Sequence, residues 1–339
     1  MPTVDWPTLI SRLVSRDDLA RDESRDALLE ILSGDTSEVF VAAFLAALTT
    51  KGETVEELVG FVDALMAEAV TFSVDVDAID IVGTGGDRLR SVNVSTMSSL
   101  AVAACGVPVA KHGNRAASSS VGTADVLEHL GVKIDVGPDI VARCVREVGM
   151  GFCFAQRFHP GLRHLGPVRR QLGFRTAFNV LGPLANPAGV TRLLLGVADG
   201  SVMTKMADVL QARGVTRAFL VHADDGLDEL SLGAPATVLD VTPDAVTTWR
   251  FDPREILGRS WSVDDIRGGD ADVNATAVRD FVAARPGAVF DTVCANAGLA
   301  LMVAGKASTL DEGFEMAATA VSDGGAARVL EGVVAVSNS

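Results

Sequence analysis

The chain of 339 residues is long enough for one large domain or two ordinary ones. Its formal net charge of −15 argues against a broad nucleic-acid-binding surface. No stretch of about twenty residues is free of charged or strongly polar side chains, so no membrane span is predicted. Residues 1–18 lack the basic flank and apolar core of a secretion signal, and the four cysteines have no metal-site spacing. We therefore predict a cytoplasmic protein with reduced thiols.

Residues 1–72 have the pattern of a small helical domain. Helical spacing is seen first at Trp6, Leu9 and Leu13. Further helices are predicted at 25–32, 37–48 and 55–70, the last preceded by a capping box of Thr54 and Glu57. A later helical segment near 163–190 is a candidate addition to this domain.

Residues 73–339 alternate short β-branched runs with helical stretches, which predicts an α/β domain with a mostly parallel central sheet. Strands are predicted at 79–82, 107–110, 132–135, 151–155, 193–197, 217–222 and 236–240. Helices are predicted at 95–105, 123–130, 139–148, 163–172, 201–213, 271–284, 293–304, 309–322 and 325–334. The less regular region 245–265 is interpreted as turns and short strands.

A glycine-rich loop follows the first predicted strand. Gly83, Gly85 and Gly86 remove three Cβ atoms where the backbone turns sharply or lets a ligand approach its N–H groups. Ser95 and Thr96 are predicted to cap the next helix, and such a loop before a helix N-terminus favours an anion. The glycines match neither the dinucleotide pattern G-x-G-x-x-G nor a G-K-[ST] loop. The alternative is an ordinary turn between a strand and a helix.

A second loop of the same kind adds positive charge. It is predicted to place Lys111, His112, Asn114 and Arg115 after a strand. The hydroxyls of Ser118, Ser119, Ser120 and Thr123 then precede a helix. Cations and hydroxyls in this arrangement suit a phosphorylated ligand. The alternative is again that these residues only turn the chain between a strand and a helix. Two loops of the same character so close together make this alternative less favoured.

Basic residues are concentrated between residues 154 and 189 of this acidic chain. Arg169 and Arg170 point about 100° apart on a helix, so at most one faces a given ligand. Arg169 would suit a planar carboxylate, whereas the alternative is a solvated basic helix face. The run NVLGPLANPAG (179–189) is predicted to be a rigid loop that could wall a pocket.

An acidic loop, HADDGLDELSLG, covers residues 222–233 after a predicted strand. Its carboxylates come from Asp224, Asp225, Asp228 and Glu229. Hard oxygen ligands of this kind suit Mg²⁺, which keeps waters and bridges to substrate phosphates. Ser95 would supply another oxygen if the fold brings it near. The alternative is an ordinary Asp–Gly turn.

Taken together, these motifs resemble the anthranilate phosphoribosyltransferase family of tryptophan biosynthesis. The resemblance covers nearly the whole chain and keeps the family's order and spacing. The matching motifs are GTGGD (83–87), NVST (93–96), KHGNR (111–115), the serines and GTAD (122–125) that follow it, HPGLRHLGPVRRQLG (159–173), FNVLGPLANPAG (178–189), DGLDE (225–229) and GGDADVNA (268–275).

The resemblance implies a fold and a reaction. The fold is a small helical domain joined to a large α/β domain like that of the pyrimidine nucleoside phosphorylases, usually as a homodimer. The reaction moves the phosphoribosyl group of 5-phosphoribosyl 1-pyrophosphate (PRPP) to the amine of anthranilate, with Mg²⁺. The implied partners are these two small molecules, with no nucleic acid and no membrane.

The resemblance also implies roles for residues at matching positions. Ser95, Asp228 and Glu229 would hold Mg²⁺, and Arg169, Asn114 and Lys111 would serve catalysis. Anthranilate would contact Gly83, Asn114 and Arg169, with His112, His159 and Gly182 nearby. PRPP would be held by Gly83, Gly86, Asp87, Ser91, Asn93, Val94, Ser95, Thr96, Lys111, His112, Gly113, Asn114, Arg115, Ala116, Ala117, Ser118, Ser119 and Thr123.

The chain departs from the family pattern at a few loop positions. Val92 replaces a common Phe, Ala116 a common Ser and Ser120 a frequent basic residue, while Arg88 and Arg90 make the glycine loop more basic. The nearest rival enzyme is a pyrimidine nucleoside phosphorylase, against which DGLDE and residues 159–173 argue. A rival from another class is a non-catalytic relative that binds a nucleotide or nucleic acid, against which the net charge argues.

Overall fold

A computed structural model describes residues 4–87, 89–115, 121–254, 258 and 260–339. Its N-terminal helices are α1 (Trp6–Val14), α2 (Arg21–Ser33), α3 (Glu38–Lys51) and α4 (Val55–Glu68). The predicted capping box before α4 is confirmed. The N–H of Glu57 donates to Thr54 Oγ1 at 3.2 Å, and the N–H of Thr54 donates to Glu57 Oε2 at 2.8 Å. Gly34 ends α2 in the left-handed conformation, with φ at 87°.

The central sheet has the strand order β3-β2-β1-β4-β5-β6-β7 within the described residues. Its strands are β1 (Ile79–Gly83), β2 (Val109–Gly113), β3 (Met150–Phe154), β4 (Arg192–Gly196), β5 (Arg217–Ala223), β6 (Ala236–Val241) and β7 (Val246–Phe251). The first five strands in that order run parallel, whereas β5–β6 and β6–β7 pair antiparallel. The predicted mostly parallel sheet is therefore confirmed, and β7 lies in the region interpreted as short strands.

Helices cover both faces of the sheet. They are α5 (Val94–Ala104), α6 (Thr123–His129), α7 (Pro138–Val148), α8 (Ala155–Phe158), α9 (Gly166–Leu172), α10 (Phe178–Leu181), α11 (Met203–Ala212), α12 (Ala271–Val282), α13 (Ala288–Val303), α14 (Leu310–Ser322) and α15 (Gly325–Ser337). One apolar core joins α5 and α12–α15 to one face. A second core joins α1–α4, α9, α10 and α11 to the other. No helix among the described residues is long and apolar enough to cross a membrane.

The predicted strand at 132–135 is wrong. Val132 and Ile134 are buried while Lys133 and Asp135 are exposed, so the alternation of the sequence is real. The segment pairs with no strand among the described residues, however, because the N–H of Val132 bonds to Leu127 O and that of Lys133 to Ser337 Oγ. An extended segment that lies over a core produces the same period of two as a paired strand.

The predicted helix at 163–172 is also corrected. The chain forms a 3-10 turn at Pro160–His164, and α9 begins only at Gly166. Pro167 lies at the start of α9, where its missing N–H costs nothing, and it would interrupt a helix continuing from residue 163. We propose a helical domain of residues 1–72 and an α/β domain of residues 73–339. The helix-free stretch 70–78 supports this division, and Leu165, Val168 and Phe178 pack in the core that contains α1–α4.

Candidate active site

A cleft of about 340 Å³ opens at the carboxyl ends of β1 and β2. Ligands of open α/β sheets bind at this edge, where loops converge after parallel strands. Leu65 of α4 lies in its wall beside the glycine loop, Arg169 of α9 and the acidic loop. The cleft therefore lies between the helical part and the sheet, and residues far apart in sequence meet there.

The glycine loop approaches the acidic loop most closely at Gly83. A Cβ on Gly83 would lie 2.5 Å from Asp228 Oδ2, so any side chain where β1 ends would displace the Asp228 carboxylate. Gly85 and Gly86 adopt φ values of 65° and 83°, which L-residues rarely adopt. The N–H of Gly85 then donates to Asp228 Oδ2 at 2.7 Å. The glycines were predicted to let a ligand approach the backbone, and in this structure the group that approaches it is the carboxylate of Asp228.

Helix α5 begins at Val94, one residue earlier than predicted. Asn93 is its N-cap residue, so the predicted capping by Ser95 and Thr96 is wrong, because both residues already lie in the first turn. Ser95 lines the cleft, whereas Val94 and Thr96 are fully buried and are not among the lining residues. The N-terminus of α5 faces the same cleft as the glycine loop, which favours an anion there.

The sequence predicted Lys111 in a loop after a strand, but the structure places it within the strand β2. Lys111, His112 and Gly113 continue β2 and pair with Phe152, Cys153 and Phe154 of β3. Lys111 is 1% exposed, and its ammonium donates to Ile81 O and, at 3.2 Å, to Ser95 Oγ. Burial lowers the pKa of Lys111 to about 8, although the negative charges of Asp80 and Glu229 oppose the shift. Lys111 therefore lies beneath the site as a buried positive charge.

Two buried histidines form one wall of the cleft, with ring centroids 5.3 Å apart. His112 Nδ1 lies 3.1 Å from Gly182 O, and His159 Nε2 lies 2.9 Å from Ala185 O. A carbonyl can only accept, so each of these nitrogens carries the proton of a neutral ring. Burial lowers the pKa of His112 to about 3 and lowers that of His159, so both rings are neutral at pH 7. The other nitrogen of His112, Nε2, has no hydrogen-bond partner among the described residues, whereas the ring of His159 also approaches the backbone of Leu65.

The loop 182–186, which supplies these carbonyls, is held to the sheet by Asn186. Asn186 Nδ2 donates to Asp80 Oδ2 and to Ala110 O, both at 2.8 Å, and the N–H of His112 donates to Asp80 Oδ1 at 3.1 Å. Burial raises the pKa of Asp80 to about 6. The run predicted to wall a pocket does so through this buried network.

The two predicted arginines have different surroundings. Arg169 lines the cleft over the Phe178 ring, with Cζ 5.5 Å from the ring centroid, and burial lowers its pKa. The adjacent Arg170 is exposed. Arg115 also lines the cleft, but its charge is balanced because Nη1 lies 2.9 Å from both Asp125 and Glu128. Arg169 is thus the better candidate for a ligand carboxylate.

Three carboxylates, here called the acidic triad, come from Asp87, Asp228 and Glu229. Each offers an oxygen, and the three oxygens lie within 4.8 Å of one another. Burial raises the pKa of Asp228, and burial together with the charges of Asp228 and Asp87 raises that of Glu229 well above its ordinary value. Glu229 Oε2 is buried without a hydrogen-bond partner among the described residues. These are the conditions that a bound divalent cation relieves.

The other two acids of the predicted acidic loop are occupied elsewhere. Asp224 forms an ion pair with Arg250 at 2.5 Å. Asp225 accepts from Ser231 Oγ at 2.6 Å and from the N–H of Leu227 at 3.2 Å. The structure adds Asp87, which the sequence assigned to PRPP, to the pair Asp228 and Glu229, and Ser95 lines the same cleft. Asp87 is the last residue of the GTGGD motif, and a carboxylate at the end of this loop was the sequence feature that could have predicted a third metal ligand.

Most of the predicted site residues line this one cleft. They are Gly83, Gly86, Asp87, Ser91, Asn93, Ser95, Lys111, His112, Gly113, Asn114, Arg115, Thr123, His159, Arg169, Gly182, Asp228 and Glu229. Ala116, Ala117, Ser118 and Ser119 lie outside the described residues, as do Arg88 and Ser120. Sequence reasoning missed Leu65, Leu162 and Phe178, which also line the cleft. Apolar residues of this kind carry no local signal, because any core residue has the same character.

Comparison with known proteins gives consistent matches. The profile described as "Glycosyl transferase family, helical bundle domain" matches residues 7–69, and "Glycosyl transferase family, a/b domain" matches residues 75–327. The chain is 49% identical to an anthranilate phosphoribosyltransferase of Rhodococcus jostii over 335 residues, covering 97% of this chain and 92% of that protein. It is 45% identical to the Mesorhizobium japonicum protein of the same name, covering 98% of each.

Solved structures agree. The anthranilate phosphoribosyltransferase of Thermus thermophilus superposes with a TM-score of 0.92 at 37% identity, covering 98% of this chain and 99% of that one. A Saccharomyces cerevisiae enzyme of that name, in complex with PRPP and Mg, superposes with a TM-score of 0.91 at 25% identity and 98% coverage of both chains. Both the predicted family and the predicted fold class are therefore confirmed. With matches over nearly its whole length, the chain belongs to the glycosyl transferase family of the anthranilate phosphoribosyltransferases.

Proposed function

We propose that this protein transfers the phosphoribosyl group of PRPP to the amine of anthranilate. The products are N-(5-phosphoribosyl)anthranilate and pyrophosphate, and the reaction is a Mg²⁺-dependent step of tryptophan biosynthesis. The observation that carries the proposal is the meeting, in one cleft, of the acidic triad, the glycine loop at the N-terminus of α5, and Arg169. The yeast relative solved with PRPP and Mg supports the donor and the metal.

The donor side of the cleft suits a pyrophosphate. Breaking the bond between the anomeric carbon and pyrophosphate leaves negative charge on the departing group. The N-terminus of α5 favours that charge without moving, which is the electrostatic stabilisation on which such reactions depend. Lys111 adds a buried positive charge beneath Ser95. The proposed donor residues thus surround the leaving group with fixed positive potential.

The acidic triad and Ser95 would hold Mg²⁺. When bound, Mg²⁺ neutralises phosphate charge and stabilises the leaving group. The chain's own contribution is to keep the carboxylates together in spite of their repulsion. The N–H of Gly85 bonds to Asp228, and Lys111 favours the charged form of Glu229.

The acceptor side of the cleft suits an aromatic amino acid that carries a carboxylate. Arg169 would pair with that carboxylate and align the amine with the anomeric carbon. The amine of anthranilate is already neutral at pH 7, so no strong base is needed before attack. The new C–N bond forms as the C–O bond to pyrophosphate breaks, and the nitrogen then loses one proton. The neutral His112 has an acceptor nitrogen, Nε2, that has no partner among the described residues, in the wall of the cleft.

We also propose a homodimer formed through the helical domain. Helix α3 is apolar on all sides yet only partly buried, and such a helix normally lies inside a core or an interface. Val39 of α3 is 76% exposed and Val14 at the end of α1 is 70% exposed, and these two helices pack together. Light scattering should give twice the chain mass, and Val39→Glu should give the monomer. A monomeric wild-type protein would contradict the proposal.

A cytoplasmic location is proposed because the four cysteines are free. Cys105, Cys144, Cys153 and Cys294 form no disulfide, and an oxidising compartment would favour pairing of such thiols. Burial raises the pKa of Cys144, which keeps this thiol protonated and unreactive. Fractionation of the source cells tests the location.

The direct test of the activity follows anthranilate fluorescence over time. Protein, PRPP and Mg²⁺ are combined with anthranilate, and each is then omitted in turn. Loss of fluorescence that needs all three, with release of pyrophosphate, is the expected result. Retained fluorescence in the complete mixture would reject anthranilate as the acceptor.

A further inference from the structure

Where Asp228 and Glu229 lie, the backbone of the acidic loop pairs with no strand in the part of the chain that the structure describes. It connects the antiparallel strands β5 and β6. Leu227, Leu230 and Leu232 are buried within it and fix its depth in the core. Apolar burial has no direction, however, and does not by itself determine how the backbone is turned around the carboxylates. Directional contacts must supply that orientation.

One side chain supplies them at Leu230, the residue directly after Glu229. The N–H of Leu230 donates to Asn296 Oδ1 at 2.9 Å, and Asn296 Nδ2 donates back to Leu230 O at 2.9 Å. The second hydrogen of Nδ2 donates to Thr292 O, also at 2.9 Å. The amide of Asn296 therefore pairs with Leu230 as a neighbouring strand would, and both of its Nδ2 hydrogens are used.

The position of Asn296 makes this pairing informative. It lies in the middle of α13, is 2% exposed, and has the fully buried Ala295 and Ala297 beside it. An amide in such a place is unfavourable unless it is hydrogen-bonded, and packing alone would be served by an apolar residue. The polar group at residue 296 is therefore explained by the loop that it holds.

The opposite side of the acidic loop is held by close approach to the sheet. A Cβ on Gly196, at the end of β4, would lie 1.4 Å from the carbonyl oxygen of Asp228. Asp228 is thus pressed against β4 on one side, and its carboxylate accepts from Gly85. Asn296 holds the acidic loop from the side of α13. It also lines a small cavity together with Ser95, Asp228 and Glu229.

We propose that Asn296 is a positioning residue that sets divalent-cation affinity by holding the backbone of Leu230, and with it Glu229. The proposal rests on the proposed function, since it assigns Asp228 and Glu229 to the metal. Asn296 itself does not touch the reacting groups. Groups that orient metal ligands typically change metal affinity about 10-fold to 100-fold when they are replaced.

The test measures binding of Mn²⁺ alone by electron paramagnetic resonance, in the absence of either substrate. Asn296→Leu keeps the size of the side chain but leaves both backbone groups of Leu230 unpaired. Asn296→Ser leaves room for water to bond to them, so the fold is kept if the leucine variant fails to fold. Both variants are expected to bind Mn²⁺ about 10-fold or more weakly than wild type. Amide hydrogen exchange at Leu230 should become faster.

Ser98→Ala is the matched control. Ser98 is also fully buried, and its hydroxyl donates to Val293 O of the same helix at 3.3 Å, whereas it forms no side-chain hydrogen bond with the acidic loop among the described residues. Its removal should lower stability without changing Mn²⁺ affinity or the exchange of Leu230. A weakening confined to the Asn296 variants therefore separates positioning from a general loosening of α13.

The outcomes separate the proposal from the function on which it rests. If the wild-type protein binds Mn²⁺ and folded Asn296→Ser binds it within about threefold, the proposal is overturned while the function stands. If wild type binds Mn²⁺ but does not consume anthranilate, the function fails and the Asn296 comparison still decides the positioning role. Equal weakening in Ser98→Ala would also overturn the proposal.

Discussion

Glu57 in the helical domain and the pair Asp228 and Glu229 in the cleft differ in how completely their charge is balanced. Glu57 of α4 is fully buried and accepts from the N–H of Leu19 at 2.9 Å, from that of Thr54 at 2.8 Å and from Lys51 Nζ at 3.0 Å. Asp228 and Glu229 form no ion pair with lysine or arginine among the described residues. Their pKa values are raised, and Glu229 Oε2 has no hydrogen-bond partner there.

Glu57 and Asp228 are buried and Glu229 is half-buried, so all three are acids shielded from solvent and the main difference is the set of partners. A buried acid whose oxygens are all occupied holds the fold together, because its charge is already compensated. A buried acid that lacks compensation costs stability and is kept where a ligand supplies the missing charge. The contrast predicts opposite effects of neutralising the two groups.

The largest expected effect is on turnover. Asp228→Asn combined with Glu229→Gln should reduce Mg²⁺-dependent turnover by about 1000-fold, which corresponds to several kcal/mol of lost leaving-group stabilisation. Because the change removes repulsion between buried carboxylates, the melting temperature in a chelating buffer should stay the same or rise. Stopped-assay product measurement and calorimetry check these two results. Retained activity, or a large loss of stability, would contradict the view that Asp228 and Glu229 serve a bound cation and not the fold.

The opposite result is expected in the helical domain. Lys51→Met leaves Glu57 buried without its cation and should lower the free energy of unfolding by about 3 kcal/mol. Turnover per folded molecule should not change. Denaturant unfolding measures the loss, and the double variant Lys51→Met with Glu57→Gln should recover part of it. An equally unstable double variant would show that the charge of Glu57 is not the cause.

A third prediction separates the two substrates within the cleft. Arg169→Ala should raise the KM for anthranilate about 100-fold, as expected for loss of about 3 kcal/mol from a charged pair, while PRPP binding stays within about twofold. Arg170→Ala, one residue away and exposed, is the control and should have wild-type constants. Equal loss for both substrates would remove the acceptor role of Arg169.

The smallest effect concerns acid pH. The folded protein keeps His112 neutral, with a pKa of about 3, whereas an unfolded chain takes up a proton near pH 6.5. The stability contributed by a neutral His112 is thus fully present above pH 6.5 and is lost as the pH falls from there toward 3. Melting temperatures between pH 7 and 5 should fall less in His112→Gln than in wild type. Parallel curves would contradict this assignment.

Several parts of the site could be predicted from the sequence because their chemistry is local. Gly83 and Gly86 are spaced for a tight backbone turn, and Asp228 and Glu229 are hard oxygen ligands side by side. Helical periodicity separates Arg169 from Arg170 without any structure. The burial of Lys111 could not be predicted from its sequence neighbours. It results from the pairing of β2 with β3, which extends the strand through Lys111.

The sequence by itself determined the alternation of strands and helices, the family and the residue types of the cleft, since each depends on patterns within a few residues. Tertiary structure alone decided that Asp87 joins Asp228 and Glu229, that Leu65 of the helical domain lines the cleft, and that Asn296 holds Leu230. These contacts join residues that are tens to hundreds of positions apart. Which distant groups meet depends on sheet order and on how closely glycines let loops approach, and no local pattern encodes either.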